Sequence, residues 1–160
     1  QILEQKLKNS IRINTDDIYY SIYRKHAHGD FSEMELEVIY KSIACLAHYL
    51  PLANPKGNFI FEGTFRKKSQ REAIKQSAKN SMVNIIFVNC NNEDIIKKII
   101  KIIKMTTNAD NTFGDYLKVK SVYEKPKIGT YFEINNNNQT NNPFKDTSLL
   151  KQINDYLTTL

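Results

Sequence analysis

Short apolar runs, too brief for helices and separated by longer stretches of helical periodicity, constrain this chain more than any other feature. The first lies within Asn58-Phe59-Ile60-Phe61-Glu62-Gly63-Thr64-Phe65, where Phe59, Ile60 and Phe61 suit a strand buried on both faces. The second covers residues 82–90, a continuous and largely β-branched run from Met82 to Cys90. Strands that alternate with helices imply a mostly parallel sheet with helices on both faces, a three-layer α/β domain. Ligands bind such sheets at the C-terminal strand ends, so Glu62 marks the chemical edge of this one. Gly63 is expected to allow a sharp exit from the strand. Ser69 and Glu72 then form a capping box for a basic helix over residues 69–80, preceded by Arg66-Lys67-Lys68 and carrying Arg71.

The other segments fall into place around this motif. Ile2, Leu3 and Leu7 have the spacing of the last turns of a helix, and residues 10–14 alternate around Ile11 and Ile13 as a short strand. Thr15 is the expected cap of a helix whose first turn holds Asp16 and Asp17 and whose inner face holds Ile18 and Ile22. His26 and His28 have no cysteine or glutamate set at ligand spacing and read as loop histidines. Ser32 and Glu35 box the start of a long helix through Leu36, Ile39, Tyr40, Ile43, Ala44, Ala47 and Leu50, which Pro51 is expected to stop. Asn54-Pro55-Lys56-Gly57 supplies the turn into the first apolar run. From Asn92, Ile95, Ile96, Ile99, Ile100, Ile102 and Ile103 form a core stripe opposite Lys97, Lys98, Lys101 and Lys104. Residues 106–111 read as a loop, Phe113, Tyr116, Leu117, Lys120 and Tyr123 as a helix ending near Pro126, and residues 130–134 as a last strand. Residues 135–142 are an asparagine-rich loop, and Asp146 caps a terminal helix built on Leu149, Leu150, Ile153, Tyr156 and Leu157.

With 160 residues, 41% of them hydrophobic and 25% charged, the composition is that of one globular domain over 1–160. No apolar run approaches the roughly 18 residues of a membrane span and no leader pattern is present, so a cytoplasmic setting without membrane contact is expected. Cys45 and Cys90 lie in apolar periodic segments, as small buried hydrophobes without a disulfide. The net charge of +6 admits anionic partners, nucleic acid included, although its lysines are spread along the chain.

Four motifs together resemble the small ATP-dependent P-loop kinases, the group of adenylylsulfate kinases, polynucleotide 5′-hydroxyl kinases and zeta-toxin-like kinases. They are Asn14-Thr15-Asp16-Asp17-Ile18 after a strand, Gly29-Asp30-Phe31-Ser32 opening the long helix, Phe61-Glu62-Gly63-Thr64-Phe65 followed by Arg71, and Asp115-Tyr116 through Tyr123-Glu124-Lys125-Pro126 after a basic helix. The resemblance implies a P-loop NTPase-like fold and phosphoryl transfer from ATP, with Mg²⁺, to a hydroxyl-bearing nucleotide, sulfonucleotide or polynucleotide 5′ end. It assigns Asp16 to orient or deprotonate the acceptor hydroxyl and Glu62 to an outer position near Mg²⁺. Thr64, Arg66 and Arg71 would bind the substrate, and Lys101 and Lys104 would close over the ATP phosphates.

The sequence departs from that pattern in two ways. The phosphate loop GxxxxGK[ST] does not occur in these residues, and its family position precedes the helix that ends near Lys8. The first strand and that loop are therefore expected upstream of Gln1, and residues 1–160 alone are expected to be poorly stable and not to bind ATP productively. The usual lid arginines are replaced by lysines, which lack the bidentate fork, and Tyr19 stands where an arginine follows the strand-end aspartate. The alternative reading is a degenerate domain that binds nucleic acid or nucleotide without catalysis.

Overall fold

The structure, a computed structural model, describes residues 2–24, 32–79, 81–90, 92–107, 112–127, 131–135 and 147–159. It is a mixed α/β chain in the order α1 (Ile2–Lys6), β1 (Ser10–Asn14), α2 (Thr15–Tyr23), α3 (Glu33–Ala53), β2 (Asn58–Glu62), α4 (Lys68–Ser77), β3 (Ile86–Asn89), α5 (Glu93–Thr107), α6 (Phe113–Ser121), β4 (Phe132–Asn135) and α7 (Thr147–Leu157). The residues group into two compact units, Gln1–Val83 with Val119–Lys125, and Asn84–Lys118 with Pro126–Leu160. Each unit holds one two-stranded parallel sheet among the described residues, β1–β2 in the first and β3–β4 in the second. No helix of the described residues is long and apolar enough to cross a membrane. His26, His28, the Gly29-Asp30-Phe31 part of the second motif, most of the asparagine-rich loop and Asp146 lie outside the described residues.

In the first unit β1 and β2 pair with Ile11 opposite Phe59, Ile13 opposite Phe61 and Asn14 opposite Glu62. Side chains alternate across a sheet, so Arg12, Asn14, Ile60 and Glu62 share one face while Ile11, Ile13, Phe59 and Phe61 share the other. Phe61 packs with Ile18, Tyr23, Leu36, Phe65 and Val83 against a buried core of Tyr19, Ile39, Tyr40, Ile43, Ala47, Ile74 and Ala78. β2 is half-buried and not enclosed on both faces, because its other face carries the charged pair of Arg12 and Glu62.

Local chemistry moves several boundaries. The cap of α2 is Asn14, not Thr15: Asn14 is the last extended residue, and its Oδ1 accepts the Asp16 amide at 2.9 Å. The inner face of that helix is Tyr19 with Ile18 and Tyr23, whereas Ile22 is exposed. Ser32 and Glu35 do form a capping box on α3. The helix then runs two residues past Pro51, which removes a single N–H, and closes with the Asn54 amide on the Leu50 carbonyl at 2.9 Å. α4 starts ahead of Ser69, where Gln70 Oε1 accepts the Lys67 amide at 2.9 Å.

In the second unit the run at residues 82–90 yields a strand only over Ile86–Asn89, the stretch that β4 pairs. Asn92 Oδ1 caps α5 by accepting the amides of Asp94 and Ile95. The isoleucine stripe is core only in its first turn, with Ile95 and Ile96 buried but Ile99 and Ile102 about 40% exposed. α5 also extends through Thr107, into residues expected as loop. α7 packs on β4 through Leu149, Ile153 and Tyr156, all buried, and Gln152 bonds both the amide and the carbonyl of Asn135. The two thiols are free, and Cys45 is exposed because Ile43 and Ala47 occupy the inner face of its helix.

Candidate functional site

The C-terminal ends of β1 and β2 lie side by side because the pair is parallel and Asn14 stands opposite Glu62. Thr15 and Asp16 leave one strand where Gly63 and Thr64 leave the other. Gly63 is needed for proximity and not for a positive φ: a Cβ there would meet Thr15 Cγ2 at 2.4 Å. The two strand exits are therefore in tight contact, and the polar groups that follow them share one edge.

Asp16 sits in the first turn of α2, on the exposed surface. The surrounding protein still withdraws part of its hydration, and this desolvation, reinforced by repulsion from Asp17 and Glu62, raises its carboxyl above the usual aspartate value. A raised carboxyl is a better proton acceptor than an ordinary one. Glu62 accepts a hydrogen bond from Arg12 Nε, an interaction that in turn holds the guanidinium more firmly protonated. Arg12 was not singled out by the sequence reading, although a cation between Ile11 and Ile13 signals that this face of β1 is not core.

Thr64 Oγ1 lies 3.2 Å from Tyr40 Oη, which fixes its hydroxyl against α3. Arg66 and Lys67 both reach Glu33 at the start of α3, with Arg66 Nη2 to Oε1 at 2.5 Å and Lys67 Nζ to Oε2 at 2.8 Å. The hydrogen bond from Lys67 and the charge of Arg66 lower the Glu33 carboxyl. Arg66 Nε is buried and has no hydrogen-bond partner among the described residues. Tyr40 and Glu33 are contributions that sequence separation hid.

Arg71 is the one buried charged residue among the described residues, at 8% exposure. Its Nη1 donates to the Phe65 carbonyl at 2.5 Å and its Nη2 to the Glu124 carbonyl at 2.6 Å, and its guanidinium lies 5.9 Å from the Tyr123 ring centroid. Tyr123 and Glu124, part of the motif expected as a lid, thus belong to the surroundings of Arg71. Asp115, from the same motif, accepts from the amide and hydroxyl of Thr112 and pairs with Lys118, which lowers its carboxyl and makes it a capping acid of α6.

The first unit thus contains Asp16, Glu62, Thr64, Arg66 and Arg71, whereas Lys101 and Lys104 are exposed on α5 in the second unit. Among the described residues no three His, Cys, Asp or Glu side chains are grouped to hold a metal ion. No protein-family model matches the chain, and none of the curated proteins matches it. The kinase resemblance accordingly rests on the order and spacing of the sequence motifs alone.

Proposed function

We propose that the paired strand ends are the acceptor half of an ATP-dependent phosphoryl transfer to a hydroxyl-bearing substrate, a nucleotide, sulfonucleotide or polynucleotide 5′ end. The observation that carries this reading is Asp16: a carboxyl raised by desolvation and by two neighbouring acids, on the C-terminal edge of a parallel strand pair. Such a group accepts the proton of an acceptor hydroxyl as that oxygen attacks, the one proton transfer that phosphoryl transfer requires of the protein. Thr64, held by Tyr40, offers a hydroxyl to the substrate. Arg66 offers an anion-binding fork whose Nε is still without an acceptor. Binding of a substrate phosphate at Arg66 would compete with Glu33.

The strand topology gives further support. The sheet of a P-loop NTPase-like fold is mostly parallel, and both β1–β2 and β3–β4 are parallel pairs. The described residues do not themselves fit ATP and Mg²⁺: they contain no phosphate loop and no grouped metal ligands, and Glu62 is engaged by Arg12. ATP would supply the transferred phosphoryl group. The pairing of Arg66 and Lys67 with Glu33 gives the non-catalytic nucleic-acid reading less support, because Glu33 offsets one of the two positive charges there.

The direct test is transfer of labelled phosphate from ATP to pooled hydroxyl acceptors by the protein made from its whole coding sequence, beside its Asp16→Asn variant. Loss of transfer with unchanged ATP binding is expected; turnover near the unsubstituted level would remove Asp16 from the reaction.

A further inference from the structure

The connection between β2 and α4 contains a strained residue. Phe65 has φ 38°, in the left-handed region that a bulky side chain rarely adopts, and such a conformation persists only where its surroundings over-determine it. The constraints can be named. The Phe65 ring packs 5.5 Å from that of Tyr40, and its carbonyl accepts from Arg71. The rest come from the segment Val119–Lys125, which is the one stretch beyond Val83 that belongs to the first unit and whose two ends continue into the second. Glu124 meets the β2–α4 connection through its amide on the Arg66 carbonyl at 2.8 Å, its carboxylate Oε2 on the Lys68 amide at 2.5 Å, and its carbonyl on Arg71 Nη2.

We propose that residues 119–125 form a releasable strap and that Arg71 is its latch, a positioning residue that holds the strap and the Phe65 turn in one cooperative unit. One planar guanidinium joins a carbonyl of the turn to a carbonyl of the strap, so a single side chain ties the two segments together. Release of the strap frees the Lys68 amide, the Arg66 carbonyl and Arg71 Nη2 together, and removes three of the contacts that hold the left-handed turn. Thr64 and Arg66 flank that turn, so their placement depends on a segment whose chain enters from and returns to the second unit. The inference concerns the order of this loop alone, and failure of the phosphoryl-transfer reading would leave it intact.

Native-state hydrogen exchange on the protein made from its whole coding sequence tests it at the Lys68 and Glu124 amides, with urea as the variable. The two amides are expected to open with one free energy and one urea dependence, below those of the α3 amides around Ile43. Arg71→Lys keeps the charge but loses the fork, and is expected to speed exchange at both amides by the same factor, on the order of tenfold or more, with α3 unchanged. Different urea slopes at the two amides in the unsubstituted protein would overturn the proposal, as would an Arg71→Lys effect confined to one amide or spread equally over α3. Should Arg71→Lys fail to fold, the comparison of urea slopes in the unsubstituted protein decides alone.

Discussion

Asp16 and Gly63 show how much of the strand edge depends on single side chains. Asp16 is destabilised when ionised, since its carboxyl is raised in the fold first by desolvation and then by Asp17 and Glu62. A raised carboxyl contributes its full stability below the unfolded aspartate value, and that contribution is lost as pH rises through the higher folded value. Asp16→Asn, neutral at every pH, should therefore gain stability relative to the unsubstituted protein as pH climbs from about 3 to 7. The gain should stay below about 1 kcal/mol because the group is exposed and screened. Urea denaturation of both proteins across that range reads the difference, and a gain that shrank with rising pH would contradict the assignment. Gly63→Ala should cost about 1–3 kcal/mol, because its Cβ would overlap Thr15 Cγ2 and the two strand exits would have to part. Thr15→Ser removes that methyl and should recover part of the loss in the double variant. A simple sum of the two single effects would show that the clash is not the cause.

At the scale of elements, α3 links the core to the proposed substrate loop. Its inner face supplies Ile39, Tyr40 and Ile43 to the core, its Tyr40 hydroxyl holds Thr64, and its first turn presents Glu33 to Arg66 and Lys67. Glu33→Gln should release both cations and strengthen binding of a nucleoside monophosphate about two- to fivefold, the modest range of an exposed ion pair. A titration of that ligand against both proteins checks this, and unchanged or weaker binding would place the anion elsewhere. What could be read from sequence follows the range of the forces involved. The capping box of Ser32 and Glu35, the parallel order of β1 and β2, and the acid at the end of β2 rest on local pattern and were legible. The partners Arg12 for Glu62, Glu33 for Arg66 and Glu124 for Arg71 were not, because they meet across 50, 33 and 53 residues of chain. The strand at residues 82–90 was overextended for a related reason: β-branched composition favours a strand, but β4 pairs only Ile86–Asn89.

At the scale of the whole molecule, two parallel strand pairs organise the described residues, with the chain passing from the first unit to the second, back through Val119–Lys125, and out again. The proposed acceptor chemistry lies entirely in the first unit, at the ends of β1 and β2. Phosphoryl transfer needs a donor half as well, and these 160 residues contain no GxxxxGK[ST] phosphate loop. The decisive measurement is transfer of labelled phosphate from ATP to pooled hydroxyl acceptors, oligonucleotide 5′ ends among them, by the protein made from its whole coding sequence. The expected result is a labelled acceptor whose formation falls about 10²- to 10⁴-fold in Asp16→Asn, the usual contribution of a general base, while ATP binding is unchanged. No labelled acceptor with the unsubstituted protein, or equal labelling by Asp16→Asn, would contradict the assignment of this strand edge to phosphoryl transfer.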